Sequence, residues 1–188
     1  LWSMKQLLPS QTALDEHASR EPAFAQWQAG YGPVQHSTET RAAVFRMAHQ
    51  LVQSGQQPDL ASVYRLLQAI DRLSSAGLWL VVHMTYARKL HVDGAPLTAD
   101  DFKAQPEGHT GGALNMVPAY AGYLGLNALS GQTRGWLMGQ GHCVAAIDAL
   151  NVLTGNLHPE QQHRYAEGEA GLEHLLNDFY GYAQAGDG

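Results

Sequence analysis

Two glycine-flanked histidines are the residues of this chain best suited to chemistry. His109 lies within Glu107-Gly108-His109-Thr110-Gly111-Gly112, and His142 closes Gly139-Gln140-Gly141-His142. An imidazole titrates near neutrality, so it can give or take a proton at physiological pH. Glycine beside it lets backbone approach a ligand closely and leaves the ring uncrowded. Each motif opens a segment of helical character, and the unpaired N–H groups of a helix start suit an anion such as a phosphate. Together the motifs predict a catalytic pocket for a phosphorylated compound. The first motif reads equally well as a tight turn before a helix, with His109 merely solvated.

The elements that must position these residues follow from local pattern. Gly135 to Met138, between turn-like flanks, is the best candidate for a strand, and it would deliver the chain to Gly141-His142. In α/β folds ligands collect at that end of a strand, which favours a functional reading of His142. Val144 to Leu153 then reads as a helix. Ala113 to Ala128 is apolar and rich in small residues, with Pro118 either in a first turn or at a kink. Earlier, Ser37 or Thr38 can cap a helix carrying Val44, Met47, Ala48, Leu51 and Val52, which Ser54-Gly55 ends. Asp59 caps the next, with Leu60, Val63, Leu67 and Ile70 in one stripe. Gly77 to Met84 suits a buried strand or a buried helix. Helix is preferred, because apolar character runs on to Leu90. Thr98 caps a short helix, Pro159 fits the first position of another, and a last one is expected from about Glu169 to Ala183. Residues 1–36, with Trp2, Phe24, Trp27 and Tyr31, read as an N-terminal arm whose aromatics dock on a larger body. The fold class is α/β, predominantly helical with few strands.

Other polar residues carry weaker signals. Cys143 follows His142, but neighbours on a helix point apart, so a buried core cysteine is favoured over a nucleophile. His83, His91, His158, His163 and His174 do not make a metal set. Asn115, Asp148 and Asn151 lie in apolar helical stretches and need buried partners or a ligand. Asn115 could support His109 or pack between helices.

Composition narrows the class. The chain has 188 residues, 45% of them hydrophobic, enough for one domain or a large part of one. A net charge of -6 with scattered Lys and Arg argues against nucleic acid. No apolar run reaches membrane-spanning length. One cysteine precludes an internal disulfide and favours a cytoplasmic setting. Leu1 is not an initiator Met, and Ala185-Gly186-Asp187-Gly188 reads as a turn, so a piece of a longer protein is expected.

Glu107 to Asn115, followed by Trp136 to His142 and Asp148 to Gly155, resembles the N-terminal thiamine-diphosphate-binding part of phosphoketolases and transketolases. The phosphoketolase branch is closer: it has a Gly-His-Trp-Gly motif and then a Gly-Pro-Gly-His-Gly-Gly motif in this order. Here Thr110 replaces the aromatic, Gln140 the proline, and Cys143-Val144 the second glycine pair. The resemblance covers about residues 105 to 156. It implies that residues 37–188 are the N-terminal part of a thiamine-diphosphate-binding domain, and that His109 and His142 line the pocket around the cofactor and a ketose phosphate. Gly108, Gly111 and Gly141 would border the cofactor. It further implies a homodimer, and Mg²⁺ held by ligands outside this chain, since Gly186-Asp187-Gly188 follows a polar helix rather than an apolar strand. The isolated chain would then be inactive. Two other readings stay open: a non-catalytic or degenerate helical binding domain of the same fold, and a sugar-phosphate epimerase using the histidines without a cofactor.

Overall fold

Short polar side chains fix where the long helices begin. Ser10 Oγ accepts the Ala13 N–H at 3.2 Å, Ser37 Oγ that of Thr40 at 3.2 Å, and Asp59 Oδ1 that of Ser62 at 2.7 Å. Each pairs a helix-start donor that has no partner within its own helix. The computed structural model describes residues 8–165 and 168–181. Its helices are α1 (Gln11–Arg20), α2 (Pro22–Gln28), α3 (Thr38–Gln53), α4 (Leu60–Tyr86), α5 (Thr110–Ser130), α6 (Val144–Thr154), α7 (Pro159–Gln162) and α8 (Glu169–Asp178). The chain divides into two bodies, Leu1–Ser75 with Gly122–Gly135, and Ala76–Ala121 with Trp136–Gly188.

The first body is built from α1, α2, α3, the first part of α4 and the last part of α5. Its core holds Leu14, Phe24, Trp27, Ala42, Ala48, Val63, Tyr64 and Leu129. The stripes expected on α3 and α4 point here: Val44, Met47, Leu51, Leu60 and Leu67 pack against that core. Phe24 and Trp27, aromatics of the expected arm, are buried in it, while Tyr31 is half exposed and Trp2 lies outside the described residues. Full burial of one such side chain contributes about 1.5–3 kcal/mol, so α1 and α2 are held firmly. His17 sits edge-on to Phe24 and Phe45, with ring centroids at 4.8 and 4.7 Å. Burial lowers its pKa, and the neighbouring His49 adds to that. His36 Nε2 bonds Asp71 Oδ2 at 2.8 Å, and its ring stacks on Trp27.

The second body carries both glycine–histidine motifs. Gly77 to Met84 is helical, the interior of the unbroken α4, with Leu80, Val81 and Met84 fully buried. After α4 the chain folds into a 3-10 turn, Ala99–Asp101, where Asp101 Oδ2 accepts both the N–H and the hydroxyl of Thr98 at 2.7 Å. Lys103 Nζ then donates to the Met84 carbonyl at 2.6 Å and the Phe179 carbonyl at 3.3 Å, tying the end of α4 to the end of α8. Burial lowers the Lys103 pKa.

Two expectations are corrected. Gly135 to Met138 is not a strand: its backbone is irregular, and Leu137 is 96% exposed. A lone extended segment has no neighbour to take its N–H and C=O groups. The anchor here is aromatic instead, with Trp136 tilted on Tyr120 at 5.4 Å. Among the described residues the β component of the expected α/β class is limited to two isolated bridges, Tyr31–Val34 and Ala87–Phe102. The described chain is predominantly helical. The last helix is also shorter than expected. It stops at Asp178 because Phe179 turns extended and Tyr180 adopts φ 56°, a left-handed conformation that ends the hydrogen-bond ladder. Ala183 lies outside the described residues.

Candidate functional site

His109 stands at the N-cap of α5. Its Nδ1 accepts the Gly112 N–H at 3.0 Å, and its carbonyl accepts that of Ala113 at 3.1 Å. An accepting Nδ1 places the proton of the neutral ring on Nε2, so the cap leaves one N–H donor on an exposed imidazole. The residue before it, Gly108, has φ 124°, and a Cβ there would lie 3.0 Å from the Phe179 ring. Thr110, which follows, donates to the buried Thr85 hydroxyl at 3.2 Å. The start of α5 is therefore fixed from both sides, against α4 and against the end of α8.

The second motif arrives as a 3-10 turn, Gly141–Cys143, closed by the Cys143 N–H on the Gln140 carbonyl at 3.0 Å. The turn sends Cys143 inward, 3% exposed, and His142 outward. The two imidazoles meet edge to face, with centroids 4.5 Å apart at 65°. Neither ring nitrogen of His142 bonds to a described residue, which leaves it as the freer of the pair.

Gly112 is the junction that the sequence reading passed over. A Cβ on it would stand 2.6 Å from His109 Nδ1 and 2.8 Å from Cys143 Sγ. Its missing side chain is what lets the cap and the cysteine share one spot on α5. The four-residue spacing from Gly108 to Gly112 was visible, but the partner of the second glycine comes from 31 positions further along the chain (143 less 112). At Gly111 and Gly141 a Cβ would meet open space, so no contact within the chain demands glycine at these expected cofactor positions. Asn115 bonds the Gly111 carbonyl at 2.9 Å, a turn back along its own helix, and does not support His109.

Asp148 and Asn151, three residues apart on α6, line the same cavity but differ in kind. Asn151 Oδ1 accepts from the Tyr120 hydroxyl at 3.0 Å and from Asn156 at 3.1 Å, a structural hub. Asp148 makes no hydrogen bond or ion pair with a described residue and lines a cavity of about 400 Å³. Burial pushes its carboxyl up from 3.8 to about 6. A raised carboxyl costs stability once the unfolded chain ionises, so the penalty grows from about pH 4 and is complete above about pH 6. Asp148→Asn is expected to stabilise the protein on the order of 2 kcal/mol at pH 7 to 8. The gain should vanish near pH 4, which denaturant titrations at both pH values would check.

Among the described residues no set of His, Cys, Asp and Glu side chains could hold a metal ion. Gly186-Asp187-Gly188 lies outside those residues. No described helix is long and apolar enough to cross a membrane. No family model, curated protein or solved structure matches this chain.

Proposed function

We propose that this chain is the N-terminal segment of a cytoplasmic, homodimeric, thiamine-diphosphate-dependent enzyme of the phosphoketolase/transketolase type, which cleaves or transfers a two-carbon unit from a ketose phosphate. The observation that carries the reading is the meeting of His109 and His142, two exposed imidazoles brought edge to face from motifs far apart in sequence. Nε2–H of His109 offers a donor to a substrate hydroxyl, and His142, whose ring nitrogens bond none of the described residues, is suited to hold or move a proton there. The Gly108–Thr110 anchoring keeps the His109 end of the pair in place, so less ordering is needed there when substrate binds.

Two imidazole donors fit the hydroxyl-bearing end of a sugar phosphate beside the cofactor's reactive end. On this reading the ligands of the diphosphate-bound Mg²⁺ belong to the rest of the full-length protein. When bound, thiamine diphosphate supplies the carbanion chemistry for breaking a carbon–carbon bond. The histidines then bind, orient and manage protons.

One observation favours a second reading. The same imidazole contact could serve as the acid–base pair of an epimerase without any cofactor. Ketose-phosphate consumption by the full-length protein, assayed with and without thiamine diphosphate and Mg²⁺, separates the two. Cleavage that requires both is expected. Undiminished epimerisation by cofactor-free protein would support the second reading. Absence of cofactor binding by calorimetry, together with absence of turnover, would leave a non-catalytic relative of the fold.

A further inference from the structure

The cavity under α6 is separate from the histidine pair and has a chemistry of its own. Asp148 and Asn151 of α6 form one wall, Gln161 and Tyr165 another, and Asp178 and Tyr180 at the end of α8 a third. At about 400 Å³ it falls within the range of small-molecule pockets. Among the described residues its lining has two carboxylates and no Lys, Arg or His. Asp178 is already matched, accepting from Arg164 at 2.7 Å and from the Tyr165 hydroxyl at 2.8 Å. Asp148 is not matched: it makes no hydrogen bond or ion pair with a described residue. Phe179 and Tyr180, edge to face at 4.8 Å, add aromatic surface to the same cavity.

We propose that this cavity binds a small organic cation with a primary ammonium group, its charge on Asp148 and its carbon chain along Val152, Leu157 and Leu175. An ammonium supplies the donors and the charge that a half-buried carboxylate does not receive from the described residues. Aromatic faces add cation–π attraction. An anionic sugar phosphate is disfavoured beside the unmatched Asp148 carboxylate, with no cationic side chain among the described lining residues, so the cavity is not a second place for the substrate of the histidine site. Phe179 borders the cavity and also lies against Gly108, which gives an occupant a mechanical link to the His109 loop.

The test is calorimetric titration of the full-length protein with n-butylammonium chloride at pH 7.5, with n-butanol as the uncharged isostere and sodium chloride at matched ionic strength. Saturable binding of the ammonium compound is expected, at least tenfold tighter than any binding of butanol. Asp148→Asn should weaken it tenfold or more. Val152→Lys, one helical turn further on, should place a built-in ammonium beside Asp148 and block the probe without removing the carboxylate. Equal binding of butanol, or no saturation with the ammonium compound, would overturn the proposal. So would unchanged affinity in both variants. None of these outcomes depends on turnover at the histidine pair, so failure here is distinguishable from failure of the functional reading.

Discussion

His142→Ala in the full-length protein is expected to lower turnover of a ketose phosphate by about 10²–10⁴-fold, the range of a positioned acid–base group. Thermal melting should hardly move, since the ring is exposed and bonds no described residue. His109→Ala behaves differently because the same side chain caps α5 through Gly112. Loss of that cap costs about 0.5–2 kcal/mol on top of the loss of turnover. His109→Asn separates the two effects. Asparagine is a strong N-cap residue, so its side-chain oxygen can take the Gly112 N–H and restore the melt, while the imidazole and its turnover stay lost. Recovery of activity along with stability in His109→Asn would show that capping is all His109 does.

Gly112→Ala should be the most damaging single methyl in the chain's candidate site. Its Cβ would lie 2.6 Å from His109 Nδ1 and 2.8 Å from Cys143 Sγ, both well inside contact distance. Alanine is normally the better helix former by about 1 kcal/mol, so the intrinsic preference opposes the expected result. Overpacking of this kind costs about 1–3 kcal/mol, and it should displace both the cap and the 3-10 turn. Adding Cys143→Ala removes one of the two clashes. A double-mutant cycle should therefore show coupling of about 0.5–3 kcal/mol, with Cys143→Ala costing less in the Gly112→Ala background than alone. Strict additivity would mean that the two motifs do not meet at this glycine.

The helices were legible because their signals are local. Ser37, Asp59 and Pro159 sit where caps and first turns require, and the α3 and α4 stripes face the core that their spacing implies. The expected strand failed for a non-local reason. Gly135 to Met138 has the composition of an extended segment, but a strand exists only with a neighbour, and none of the described residues offers one. The candidate site was legible in part. Glycine beside histidine marked both motifs, yet the cap on Gly112 and the Cys143 contact depend on where two distant turns come together. Asp148 stood out as a polar residue in an apolar helix. Its cavity did not, because α7 and α8 supply the other walls.

Chemical modification of histidine would show whether His109 and His142 face a bound sugar phosphate. The full-length protein would be treated with diethyl pyrocarbonate in the presence of thiamine diphosphate and Mg²⁺, with and without a ketose phosphate, and the modified sites mapped by mass spectrometry. His158, His163 and His174 are exposed in the same body and serve as internal controls. The sugar phosphate is expected to protect His109 and His142 and to leave the three controls unchanged. Equal modification of His109 and His142 with and without the sugar phosphate would contradict that assignment.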